Sequence, residues 1–213
     1  MHAAVRDRVL FAVLGVLCLA LSCHDGQRRG ECVLPGPEAA YDALLRGDTS
    51  LLADGAAENW RFCREAGGLE YGFQDLDGDG GDELLVQMED CPAGMNAVFH
   101  YNGESIDCWE LDAVEMTGWS EPLADGTMAR MYFYGGCRNY RMFRYGPDGS
   151  EMETHVFFAR DELIYPEDRS PCPYHEIDGR EVTADEFDRF LRQEFLEKRW
   201  HREDWTPVPE AAS

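Results

Sequence analysis

The chain has 213 residues, 44% hydrophobic and 12% aromatic, which excludes disorder throughout and fits one domain with a sizeable core. It carries 42 acidic against 19 basic residues, a formal net charge of −23. Such a field repels nucleic-acid phosphates and anionic lipid headgroups and attracts cations, so no nucleic-acid partner is expected.

Residues 1–22 read as a signal peptide. Arg6 and Arg8 form a positive leader, and an apolar run follows from Val9 to Leu21. That run falls short of the roughly 20 residues a membrane span needs, so export is expected in place of permanent insertion. The segment ends Ala-Leu-Ser-Cys at 20–23. It fits a small-x-small secretion site and also resembles a bacterial lipoprotein box, in which Cys23 carries the lipid. If Cys23 is acylated, six cysteines remain: Cys32, Cys63, Cys91, Cys108, Cys137 and Cys172. An even number permits three disulfides in an oxidising compartment, so the count favours the lipid reading over plain secretion. The only expected membrane attachment is that anchor, which gives an extracellular, cell-surface location.

Residues 23–36 are rich in Gly, Pro and charge and read as a tether. A single β-rich domain is expected over 37–200, with a short tail over 201–213. Pro37 sits at a favoured first-turn position, and Ala40, Leu44 and Leu45 follow at helical spacing, predicting a helix to about Arg46 that Gly47 ends. A helical turn is expected over 58–64, with Trp60 and Phe62 in the core.

From Leu69 the apolar period changes to two. Runs at 69–73, 83–88, 96–101, 105–111, 128–134, 138–145 and 151–158 predict strands, with turns at Asn102-Gly103, Gly135-Gly136 and Pro147-Asp148-Gly149. This is a mainly β, antiparallel meander, with propeller-blade-like or partly closed geometry as options. The four runs after Gly68 and the three after Thr127 can each form one sheet. A capping box at Thr183 to Glu186 then opens a C-terminal helix whose stripe of Phe187, Phe190, Leu191 and Phe195 packs on the sheet.

The chemistry concentrates in Asp75-Leu-Asp-Gly-Asp-Gly-Gly-Asp-Glu83. Calcium takes six to eight oxygens, and side chains at loop positions one, three and five point inward, selecting Asp75, Asp77 and Asp79. Gly80 supplies the bend at position six, and the Gly81 carbonyl and Glu83 side chain complete the protein ligands at seven and nine. Asp82 faces away and Leu76 packs inward. Magnesium, which prefers fewer protein ligands and rigid octahedral geometry, fits less well. An EF-hand would carry a bidentate Glu at position twelve and start a helix there. This chain has Val86 in a strand-like run instead.

The loop therefore resembles the strand–loop–strand calcium sites of FG-GAP and VCBS repeats, with Glu83 where those usually carry Asp. With the exported N-terminus and the tail EIDGREVTADEFDRFL, the chain also resembles a group of bacterial lipoproteins of unknown function bearing D-x-D-G-D-G-x-x-E-L-L. The resemblance implies calcium and an extracellular setting and no catalytic activity. A structural or adhesive role is expected, with a glycan or protein ligand as an open partner. The alternative is an extracellular hydrolase acting on glycan or peptide with a structural calcium.

Other constellations are weaker. Cys172 and His175 have C-x-x-H spacing but lack a second pair for zinc. His100 and His155 fall in predicted strands as hydrogen-bonded sheet residues. Trp109, Trp119, Tyr132, Tyr134 and Tyr140 are better explained as core aromatics than as a sugar platform.

Overall fold

The computed structural model describes residues 34–53, 55–89, 95–113, 118–162 and 170–209. The signal segment, Cys23, the tether up to residue 33, Cys32 and Cys91 lie outside the described residues. Among the described residues no helix is long and apolar enough to cross a membrane.

The protein is mainly β, and its described residues form two antiparallel sheets and three α-helices. Helix α1 (Pro37–Leu45) and helix α2 (Ala56–Ala66) precede strands β1 (Leu69–Gln74), β2 (Glu83–Met88), β3 (Met95–Tyr101) and β4 (Ile106–Ala113). The second group is β5 (Gly118–Pro122), β6 (Met128–Tyr134), β7 (Cys137–Tyr145), β8 (Glu151–Arg160), β9 (Tyr174–Ile177) and β10 (Arg180–Glu181). Helix α3 (Ala184–Leu191) runs on through a π-helical turn to Leu196, and β11 (Thr206–Pro207) returns to β1. The five-stranded sheet has the order β11-β1-β2-β3-β4 and the six-stranded one β10-β9-β8-β7-β6-β5. Neither closes into a barrel among the described strands. The four expected runs after Gly68 fall in the first sheet and the three after Thr127 in the second, but the division lies earlier than Thr127, because the second sheet also takes in β5 as well as β9 and β10.

The first sheet is buried on both faces. Leu84, Val86, Ala97 and Phe99 pack under Ala40, Leu44 and Trp60 of the helices. The alternate residues Leu85 and Val98 meet Met128, Phe143 and Tyr145 of the second sheet in a seam that Trp109, Trp200 and Trp205 help to fill. Strand β2 accordingly reads as a near-continuous apolar run. On the far face of the second sheet, Phe187, Leu191 and Phe195 pack against Met131, Tyr140, Met142 and Phe157. The capping box forms as expected: the Glu186 N–H donates to Thr183 Oγ1 at 3.2 Å, and the Thr183 N–H donates to Glu186 Oε2 at 3.1 Å.

Several expectations are corrected. Phe62 is 70% exposed. It lies two residues from Trp60 and so falls on the opposite side of α2 from the buried Trp60 and Cys63. The Asn102-Gly103 hairpin uses a four-residue loop, closed by the Asn102 N–H donating to Ser105 O at 3.1 Å. The expected tail contributes β11 to the first sheet. The described cysteines, Cys63, Cys108, Cys137 and Cys172, are free thiols. Cys63 is buried in the helix-covered core, and the Cys108 thiol faces the Glu110 carbonyl. Cys137 Sγ accepts from Arg160 Nε, and the Cys172 thiol faces the Arg160 carbonyl.

Candidate metal centre

The acidic loop joins β1 to β2 at the edge of the seam between the sheets. Its backbone folds around its own carboxylates. The Gly78 N–H donates to Asp75 Oδ1 at 2.7 Å, and the Gly80 N–H donates to Asp75 Oδ2 at 3.1 Å. The Asp79 N–H donates to Asp77 Oδ1 at 3.0 Å, and the Gly81 N–H donates to Asp79 Oδ1 at 2.7 Å. Gly78 and Gly80 take φ of 81° and 89°, a left-handed bend that side-chain-bearing residues rarely adopt. These turns converge the carboxylates, so that one oxygen from each of Asp75, Asp77 and Asp79 lies within 4.8 Å of the others.

Asp77 Oδ2 is the informative atom. It is buried and has no hydrogen-bond partner, while its twin Oδ1 is engaged with the loop backbone. A buried carboxylate oxygen without a donor is costly unless a cation compensates it. The donor set, all carboxylate oxygens on a bent loop, suits a hard divalent cation with oxygen preference. The residues present fit calcium.

One hydrogen bond and one close backbone approach set the loop against the second sheet. Gln74 Nε2 donates to the Leu123 carbonyl at 2.7 Å. A Cβ on Gly126, in the turn between β5 and β6, would stand 2.9 Å from the Asp75 carbonyl oxygen. Leu76 is 2% exposed and packs in the seam, as expected, while Asp82 is exposed.

Glu83 does not stand with the Asp75 trio. It is 1% exposed and lies beneath the loop. There Oε2 accepts from the Leu76 N–H at 2.7 Å, and Oε1 lies 2.9 Å from His100 Nδ1. Burial pushes its carboxyl above the ordinary value, the bonds to His100 and Leu76 pull it back in part, and the Asp77 charge adds to the rise. His100 stacks on Trp109 with centroids 4.5 Å apart and planes 11° from parallel. One ligand atom each from Asp77, Glu83 and His100 also falls within 4.8 Å.

Sequence reasoning placed His100 as an ordinary strand residue and missed this meeting. The signal was the register. Leu84 pairs with Phe99 across β2 and β3, so one step outward places Glu83 opposite His100 on the seam face.

The remaining candidates do not converge. His175 Nε2 faces Asp161 Oδ1 at 3.4 Å, and Cys172 turns to the Arg160 carbonyl. His155 Nδ1 lies 2.9 Å from Asp178 Oδ2 at the β9–β10 turn. Tyr140 is buried and Trp109 and Trp119 are half-buried, in line with core packing, but Tyr132 and Tyr134 are exposed. Comparison with known proteins finds no family model, no curated protein and no solved structure that matches this chain.

Proposed function

We propose that the protein is an exported calcium-binding module, anchored by lipid on Cys23, whose metal loop serves a structural or adhesive role and performs no catalysis. The observation that carries the metal reading is the buried, unpartnered Asp77 Oδ2 among three converging carboxylates. Bound there, the ion supplies the positive charge that lets these anions share one bend. Asp75, Asp77 and Asp79 hold it, and the glycines between them provide the turn. Gln74, the residue before the loop, is tied to the β5–β6 turn, so an ion in the loop would brace the two sheets where they meet. The lipid anchor rests on the Ala20–Cys23 segment alone.

Affinity is expected with extracellular modules, at a Kd on the order of 10⁻⁴–10⁻³ M. An ion that binds only the folded chain stabilises it by mass action, about 1.4 kcal/mol at ten times Kd. Titration calorimetry tests this directly: saturable heat from calcium at millimolar concentration is expected, and no heat in that range overturns the reading.

A further inference from the structure

We propose a second cation site, of mixed nitrogen and oxygen donors, on Asp77, Glu83 and His100 beneath the acidic loop, taking a borderline divalent metal such as zinc. It shares Asp77 with the calcium reading, but its identity rests on the other two residues. Both readings draw on the same Asp77 oxygen, so zinc is titrated into calcium-free protein, and its binding there does not depend on the calcium reading being right.

The geometry begins with the strand pairing. Glu83 and His100 face each other across β2 and β3, and the 2.9 Å between Oε1 and Nδ1 is bridged by one proton. Zinc bonded at 2.0–2.1 Å in a tetrahedron holds its ligand atoms about 3.3 Å apart. Exchanging that proton for the metal therefore asks the pair to open by only a few tenths of an ångström. The third ligand is near: one oxygen of Asp77 completes a trio within 4.8 Å. Asp77 Oδ1 is occupied by the Asp79 N–H, which leaves the buried Oδ2 as the available donor.

The donors are also held in place from behind. The Leu76 N–H pins Glu83 Oε2 at 2.7 Å, and the Trp109 ring fixes the plane of the imidazole. Such outer contacts are what orient ligands in metal sites. The chemistry separates the two trios. Asp75, Asp77 and Asp79 offer oxygen only, which suits calcium, whereas an imidazole donor suits zinc and its transition-metal neighbours. The inner trio brings two carboxylates and one neutral imidazole, so a divalent ion leaves no uncompensated charge in a place where Glu83 is 1% exposed.

The test is a pair of titrations, calcium and zinc, on the full chain and two variants. In His100→Gln the amide can still bond Glu83, but the imidazole is gone. Zinc affinity is expected to fall by at least ten-fold, with calcium binding unchanged. In Asp75→Asn the reverse is expected: calcium weakens and zinc holds. Cobalt(II) substituted for zinc should give d–d bands without a thiolate charge-transfer band, which sets the site apart from Cys63, Cys108, Cys137 and Cys172. Unchanged zinc affinity in His100→Gln, or thiolate absorption on cobalt, overturns the proposal. Loss of calcium binding alone in Asp75→Asn leaves it standing, and absence of calcium binding in the wild type sinks only the first reading. Should His100→Gln not fold, the wild-type histidine resonances decide: zinc must shift the His100 ring, and a shift confined to other histidines refutes the site.

Discussion

Gln74 Nε2 reaches across to the carbonyl of Leu123 at 2.7 Å, so the last residue of β1 before the acidic loop is tied to the turn that opens the second sheet's β5–β6 hairpin. Three residues further along that turn, the Gly126 N–H donates back to the same Leu123 carbonyl at 3.0 Å. The loop and the seam are thus one mechanical unit, and perturbing either is expected to register in the other.

Gly126 is where the turn comes close to the loop's main chain. Its φ is +81°, and an added Cβ would stand 2.9 Å from the Asp75 carbonyl oxygen. Gly126→Ala combines backbone strain with a clash against main chain, and a loss of about 1–3 kcal/mol is expected. Urea denaturation measures it. If the loop holds calcium as proposed, titration of the same variant should show weakened binding, because the displaced atom belongs to the first residue of the acidic loop.

Asp77 contributes to both trios, and its removal should be the most informative single change. In saturating calcium, Asp77→Ala is expected to melt at the temperature of chelated wild type. In chelator the variant should match or exceed the wild type, since the unpartnered Oδ2 is gone. Equal melting of the two proteins in calcium would mean that the loop carries no stabilising ion.

Glu83 makes the metal-free protein sensitive to pH. Its folded carboxyl titrates above the ordinary value of 4.5, with burial as the leading cause. The folded state therefore holds the proton longer than the unfolded chain, and folding takes up a proton between the two values. In chelator, stability should fall as pH rises from 4.5 through the raised folded value. Glu83→Gln should abolish that segment of the curve. Chemical denaturation at a series of pH values checks the sign, and a rise over this window would contradict the assignment.

A buried polar network around Glu110 should contribute strongly to stability. Glu110 is 7% exposed; it accepts from Ser120 Oγ at 2.7 Å, Tyr145 Oη at 2.8 Å and Arg130 at 2.9 Å. Arg130 is shared with Glu151, which also pairs with Arg141. Glu110→Ala leaves a guanidinium without its buried partner and two hydroxyls without an acceptor, and about 3–5 kcal/mol should be lost. Tyr145→Phe deletes one donor from a carboxylate that keeps two others, so about 1–2 kcal/mol is expected. Paired denaturation curves measure both.

Much of this architecture was legible from local pattern. The change of apolar period at Leu69, the turn glycines and the capping box at Thr183 each act over a few residues, and each predicted its element. The three aspartates of the loop were legible for the same reason, since alternate positions on one bend converge. What could not be read was whatever depends on pairing between distant segments. Glu83 and His100 meet only through the β2–β3 register, and Glu110, Ser120, Arg130 and Tyr145 come from four separate strands. The short strands β10 and β11 carry only two residues each, too few to show a period. Beyond the end of the capped helix, Glu194 and Lys198, four residues apart, close at 2.7 Å, and Lys198 also reaches Asp125 at 2.9 Å, a pairing between distant segments.

Those two shortest strands finish one border of each sheet. Thr206-Pro207 lies along β1 and carries no amide hydrogen at its second residue, while Arg180-Glu181 lies along β9 with both side chains exposed. A proline on one margin and a charged dipeptide on the other give an incoming chain almost nothing to zip onto. Along these two margins the molecule thereby resists the backbone pairing by which separate copies would join into a fibre.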